Sequence, residues 1–99
     1  MLKISKDIQN GKALFTLEGR LDTTTAPELE AEVKGSLDGV SELTFDMEAL
    51  SYISSAGLRV LLTAQKTMNR QGTMTVTHVN DTILSIFEVT GFSDILTIR

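Results

Sequence analysis

Two adjacent serines are the residues of this chain most suited to chemistry. Ser54 and Ser55 lie in the stretch "YISSAGLRVLL", immediately before an Ala-Gly pair, where a loop is predicted to pass into an apolar helix. A serine at such a junction can cap the helix, act as a nucleophile or accept a phosphate. These three roles make different demands on the surrounding residues.

Capping is the simplest role for the pair. An N-cap serine oxygen accepts a hydrogen bond from a free N–H group of the first helical turn, which stabilises the helix by about 1 kcal/mol. Capping by itself explains one serine and leaves the other without a role.

A nucleophilic role would make the protein a small serine hydrolase. Ser55, Ala56 and Gly57 match the second half of the G-x-S-x-G elbow, but Ile53 stands where the first glycine belongs. The only imidazole available as a base is His78, at the end of a predicted strand. This hypothesis predicts that replacing His78 by alanine abolishes activity.

A phosphoacceptor role suits the same position. A phosphate at a helix N-terminus meets unpaired N–H groups and the positive end of the helix dipole. It adds a charge of about −1.5 to −2 to whatever surface a partner contacts. The small Ala56 and Gly57 let a kinase approach the hydroxyl, and Arg59 shares that face of the helix, either as a contact or as a solvated charge. Composition and spacing leave cap and phosphoacceptor open.

Strands and helices that alternate along the chain must position these serines. The predicted strands are Leu2–Ile8, Ala13–Gly19, Glu42–Met47 and Thr73–Val79, and the first two form a hairpin around Asn10-Gly11. Three helices are predicted. The first follows Thr25, the second starts at Ser54 or Ser55 and ends near Asn69, and the third follows Asn80 or Asp81 and ends at Gly91. This order predicts an α/β fold with a mixed sheet of four to five strands and helices mainly on one face.

Several local features refine this prediction. Thr25 and Glu28 fit a capping box, with Pro27 in the first turn and a buried stripe that continues to Leu37. The segment "EALSYI" is predicted as a short loop leading to the serines. The ending "ILTIR" is either a last edge strand or a frayed tail.

The composition restricts the function further. We expect one domain over residues 1–99, because a second core would be too small. The net charge of −4 and the scattered basic residues argue against nucleic-acid binding. The absence of cysteine suits the cytoplasm, the lone His78 predicts no metal-ligand cluster, and no segment resembles a signal peptide or a membrane span. We expect no cofactor, because there is no Gly-rich phosphate loop. We also expect the protein to be a monomer.

The segment "DMEALSYISSAGLRVLL", Asp46–Leu62, resembles the signature of STAS domains, in particular the stand-alone bacterial anti-sigma factor antagonists, also called anti-anti-sigma factors. The stretch "EGRLDTTTAPEL" and the ending "VTGFSDIL" are similar to two further segments of this family. The three segments cover nearly the whole chain in the family's order.

This resemblance implies a STAS fold without catalytic activity and a function by partner switching. The unphosphorylated antagonist would bind an anti-sigma factor that is also a serine kinase of the GHKL type, and would thereby free a sigma factor. The kinase would phosphorylate the antagonist and lose it as a partner, and a PP2C-type phosphatase would restore it.

The resemblance also implies which residues act. The phosphoacceptor maps to Ser55, with Ser54 as the alternative, because Ser54 stands where the family often has aspartate and Ala56 where it often has serine. The partner surface would be Ser51–Ile53 plus the first two turns of the next helix. The implied partner-binding residues are Asp22, Thr23, Tyr52, Ile53, Ser54, Ala56, Gly57 and Arg59. Asp22 and Thr23 fit equally well as turn residues.

One alternative keeps the fold and changes the task. The chain can instead be a STAS subunit of a transporter or of a signalling scaffold, without sigma-factor control. Nothing in the sequence excludes this alternative.

Overall fold

The structure, a computed structural model, describes all residues from 1 to 99. Its strands are β1 (Leu2–Gln9), β2 (Lys12–Leu21), β3 (Glu42–Ile53) and β4 (Thr73–Thr77). Its helices are α1 (Ala26–Lys34), α2 (Ser55–Gln71) and α3 (Asp81–Thr90), followed by a 3-10 turn at Phe92–Asp94. The strands form one sheet in the order β1-β2-β3-β4.

The sheet is mixed, as predicted. β1 and β2 pair antiparallel around Asn10 and Gly11, whose φ angles of 51° and 78° are those that a tight hairpin turn requires. β2, β3 and β4 pair parallel, with α1 and α2 as the crossover helices. The α/β fold class with a mixed sheet is therefore confirmed.

Burial alternates along the central strands and defines one covered face. Phe15 and Leu17 of β2 and Leu43 and Phe45 of β3 are buried, and the rings of Phe15 and Phe45 lie 5.6 Å apart. They belong to one cluster of 25 buried apolar residues that all three helices share. The intervening side chains, such as Thr16, point to the uncovered side of the sheet. The helices thus lie on one face.

The segment Glu48–Ile53 is not a loop, so that prediction was wrong. It continues β3, and its residues pair with Glu18–Leu21 of β2 through two irregularities in the register. Such bulges shift the alternation of side chains. The hydrophobic pattern of the segment therefore no longer has the strict period of two on which a strand prediction depends.

The predicted capping box is also absent. Thr25 is at the N-cap of α1, but its buried hydroxyl makes no capping bond; it donates to the carbonyl of Arg20 at 2.8 Å and accepts from the Asp22 N–H group at 2.8 Å. The exposed Glu28 has no reciprocal partner. Helix α1 ends at Lys34, so Leu37 is buried from the following loop rather than from the helix.

The remaining boundaries differ by a few residues. β4 ends at Thr77, because His78 adopts a left-handed conformation with φ of 57°. The C-terminal tail does not fray: Ile98 forms an isolated parallel bridge with Val76, in which the Val76 N–H donates to Thr97 at 2.8 Å. None of the helices has the length and apolar character that crossing a membrane requires.

Candidate partner-binding site

Neighbouring parallel strands bring the site together. Leu21, the last residue of β2, is in register with Ile53, the last residue of β3. The Ser54 N–H donates to the Leu21 carbonyl at 2.9 Å, which joins the two strand ends directly. The turn that follows β2 and the first turn of α2 therefore lie side by side at the carboxyl edge of the sheet.

Ser54 is the N-cap of α2. Its backbone is extended (φ −96°, ψ 175°), and its hydroxyl accepts from the Gly57 N–H at 3.4 Å. Its carbonyl accepts from the Leu58 N–H at 2.9 Å. The side-chain bond is longer than the usual 2.9–3.0 Å for N–H···O, so this cap is a weak one. The structure thus assigns the capping role to the first serine of the pair.

Ser55 is the first residue of α2, and its side chain is exposed. Its hydroxyl makes no hydrogen bond to any protein atom, unlike that of Ser54. The first N–H groups of an α-helix have no intrahelical partners. Here the Ser54 N–H donates to the Leu21 carbonyl and the Gly57 N–H donates to the Ser54 hydroxyl, which leaves the N–H groups of Ser55 and Ala56 free. A reagent or an enzyme can reach the Ser55 hydroxyl without breaking an existing contact.

Asp22 organises the turn between β2 and α1. Its Oδ1 accepts from the Thr24 hydroxyl at 2.7 Å and from the N–H groups of Thr24 and Thr25 at 3.0 and 3.1 Å. These bonds, the one from the Thr24 hydroxyl above all, lower the pKa of the Asp22 carboxyl from 3.8 to about 2. The carboxylate is therefore largely committed to its own turn.

Tyr52 and Arg20 form a stacked pair across β2 and β3. The two residues are in register, and the Arg20 guanidinium carbon lies 4.3 Å from the centre of the Tyr52 ring. The same guanidinium lies near Asp22, with Nε 3.8 Å from Oδ2. Arg20 is exposed at the site but was absent from the sequence-based list, because its partnership depends on a strand register that no motif reveals.

A shallow groove between α1 and α2 opens beside the serines. Its volume is about 210 Å³, and its lining includes Thr23, Pro27, Glu30, Ala56 and Arg59. Neither Glu30 nor Arg59 is in an ion pair, so both charged groups are free to bind a partner. The structure therefore brings together three of the predicted partner-binding residues, Thr23, Ala56 and Arg59.

Two predicted partner-binding residues are buried and cannot offer a free surface. Ile53 is 2% exposed, and Gly57 is buried above it. A Cβ atom on Gly57 would lie 2.7 Å from Leu21 Cγ and 2.9 Å from Ile53 Cγ1. The missing side chain lets α2 pack closely onto the strand ends. Both residues thus support the start of α2, where the serines lie, from the core side.

His78 is not placed as a base for Ser55. Its Nδ1 lies 3.2 Å from Oδ1 of Asp46, and no hydrogen bond joins it to either serine. Asp46 precedes Ile53 by seven residues on β3, which corresponds to about 23 Å of strand. The arrangement of nucleophile and base that the hydrolase hypothesis requires is not formed.

Comparisons with known proteins show what the chain is similar to. The sequence profile of the STAS domain matches residues 3–99. BtrV of Bordetella bronchiseptica, named provisionally as an anti-sigma factor antagonist, is 33% identical over 95% of this chain and 83% of its own. The anti-sigma-B factor antagonist of Listeria monocytogenes is 34% identical over 82% of this chain and 73% of its own. The Bacillus cell-fate determinant SpoIIAA in its phosphorylated form superposes with a TM-score of 0.77 at 16% identity, over 98% of this chain and 91% of that one.

Proposed function

The chain belongs to the STAS-domain family, and on that premise we propose that it is an anti-sigma factor antagonist that works by partner switching. Unphosphorylated, it binds and sequesters a kinase-type anti-sigma factor; phosphorylated on Ser55, it no longer does. The observation that carries the proposal is the exposed, unbonded Ser55 hydroxyl at the start of α2, beside an open groove. The names of the two curated relatives support the antagonist function.

Ser55 rather than Ser54 is the proposed phosphoacceptor. The Ser54 hydroxyl is half-buried and accepts a bond from the helix it caps, so a kinase would have to break the cap to reach it. The Ser55 hydroxyl requires no such rearrangement. A phosphate there would be close to the free N–H groups of the first turn, and the fold would tolerate it.

The charge change acts on the partner that docks at this edge of the sheet. We propose a partner surface of Thr23, Tyr52, Ala56 and Arg59, with Arg20 stacked on Tyr52. Ser55 directly precedes Ala56, so the phosphate would enter this interface. Changing a partner from nearly full to nearly empty occupancy needs about 10⁴-fold discrimination, or about 5.5 kcal/mol. Repulsion and desolvation of a dianion inside a packed interface are of that order.

The partners follow from the family resemblance. The anti-sigma factor would itself be the serine kinase, of the GHKL type, and a PP2C-type phosphatase would reverse the reaction. A circuit that controls a sigma factor operates in the cytoplasm, where we place this protein.

The direct test is phosphorylation with site mapping. The protein is incubated with ATP and with each kinase-type anti-sigma factor of its source organism, and then examined by intact-mass and peptide mass spectrometry. We expect one added phosphate on Ser55, lost in Ser55→Ala and retained in Ser54→Ala. Phosphate on Ser54 would move the site by one residue, and no phosphate with any candidate would favour the transporter or scaffold alternative.

A binding experiment with matched charges tests the switch itself. Ser55→Asp should weaken binding to the cognate anti-sigma factor at least tenfold, or more than about 1.4 kcal/mol. Ser54→Asp adds the same charge one residue earlier, but its side chain is turned into the cap, so we expect a smaller loss. If Ser55→Asp binds as tightly as the parent protein, the proposed switch is wrong.

A further inference from the structure

Three donor groups meet on the open face of the sheet, away from the serines. They are the carboxylates of Asp46 and Glu48 and the imidazole of His78. One ligand atom from each lies within 4.8 Å of the other two. Because the chain has one histidine, no metal-ligand cluster was predicted from the sequence; in the fold, His78 lies beside two acids that are distant from it along the chain.

Strand geometry produces this arrangement. Asp46 and Glu48 are two residues apart on β3 and therefore project from the same side, opposite the buried Phe45 and Met47. Asp46 pairs with Thr77 in the parallel ladder, which brings the next residue, His78, beside it. Asp46 and Glu48 are thus fixed on β3, and His78 directly follows the last residue of β4.

The distances suit a metal ion. Zn²⁺ binds imidazole nitrogen and carboxylate oxygen at about 2.0–2.2 Å, so two of its ligands lie about 3.0–3.5 Å apart. The His78 Nδ1 atom is 3.2 Å from Asp46 Oδ1. Asp46 Oδ1 also accepts from the Glu48 N–H at 3.0 Å, while its Oδ2 has no hydrogen-bond partner. The Glu48 side chain is exposed and can move the remaining distance at little cost.

We propose that Asp46, Glu48 and His78 form a binding site for a divalent transition-metal ion such as Zn²⁺. One imidazole and two carboxylates are a donor set that binds Zn²⁺ and other divalent transition-metal ions, whereas Mg²⁺ and Ca²⁺ prefer oxygen ligands alone. Three protein ligands leave at least one coordination position open to water or to a ligand from outside. The site is independent of Ser55 and of the partner surface proposed above.

Zinc titration by isothermal calorimetry tests the site, with protein free of any polyhistidine tag. We expect one Zn²⁺ per chain, and at least tenfold weaker binding in His78→Asn. Asparagine is chosen because it tolerates the left-handed conformation of residue 78, so the variant should fold. Asp38→Asn is the matched control: it removes one exposed carboxylate that makes no ion pair, and it should bind Zn²⁺ as the parent does.

Nuclear magnetic resonance supplies a second, direct readout. Because the chain has a single histidine, its imidazole protons give one assignable pair of signals. We expect these signals to shift on addition of one equivalent of Zn²⁺ and to remain shifted in excess Mg²⁺. Imidazole signals that stay in place at saturating Zn²⁺, or equal affinity in His78→Asn, would overturn the proposal.

Discussion

The two serines should differ in their contribution to stability, and this difference separates cap from phosphoacceptor without any partner protein. Replacing an N-cap serine by alanine costs about 0.5–2 kcal/mol. The 3.4 Å bond from Gly57 to Ser54 is long, which places Ser54→Ala near the lower end, at about 0.5–1 kcal/mol. Ser55→Ala removes a hydroxyl without a partner and introduces the best helix former, so we expect a change between zero and a gain of about 0.3 kcal/mol.

Equilibrium urea unfolding and thermal melting can resolve this difference. For a domain of this size, 1 kcal/mol corresponds to about 4–8 °C in the melting temperature. The two variants should then differ by about 0.5–1.3 kcal/mol, so we expect Ser54→Ala to melt about 2–10 °C below Ser55→Ala. Ser54→Asp is the control for the cap, because aspartate is an equally good N-cap and its charge is favourable at a helix N-terminus, so it should keep the stability of the parent. Equal destabilisation by the two alanine variants would refute the assignment of the cap to Ser54.

Two further predictions concern the residues around the serines. Gly57→Ala places a Cβ atom 2.7 Å from Leu21 Cγ and 2.9 Å from Ile53 Cγ1. Overpacking costs about 1–3 kcal/mol and at least cancels the helix-propensity gain of about 1 kcal/mol, so urea unfolding should show a net loss of up to about 2 kcal/mol, and a stabilised variant would contradict the close packing of α2. The pKa of Asp22 is about 2 in the folded chain against the ordinary 3.8, so its stabilising effect is present above about pH 4 and is lost as the pH falls towards 2. Acid unfolding of Asp22→Asn should lack this part of the pH dependence. In the parent protein, the NMR signal of the Asp22 carboxyl carbon should titrate near pH 2 rather than near pH 4.

Local patterns predicted the elements that hold the site, but not the contacts between them. The hairpin, the parallel strands and the helix at the serines follow from periodicity and turn residues, and all are present in the structure. The extension of β3 to Ile53 was missed, because bulges in its pairing with β2 interrupt the alternation of apolar residues. A side chain's role in the local sequence is also ambiguous: Thr25 fits a capping box but binds the preceding turn instead.

Contacts between strands explain the other differences at the site. Arg20 stacks on Tyr52, and Asp46 meets His78, only because parallel strands lie in one register. Neither pair is visible in the sequence, where the partners are 32 residues apart. The burial of a predicted partner-binding residue was equally invisible in the sequence. Ile53 belongs to the signature segment, but the extension of β3 places its side chain in the core.

The departure from the family pattern at position 54 is conservative in physical terms. Aspartate and serine are both strong N-caps, because each offers an oxygen to the N–H groups of the first turn. The position that the family often fills with aspartate is the one where the structure places the capping oxygen of Ser54. An aspartate side chain cannot form a phosphoserine. The aspartate that is frequent at this position in the family therefore indicates that the position serves to cap the helix. The exposed hydroxyl of the next residue, Ser55, is then free for the phosphorylation that we propose, which would give the second serine of the pair the role that capping alone does not explain.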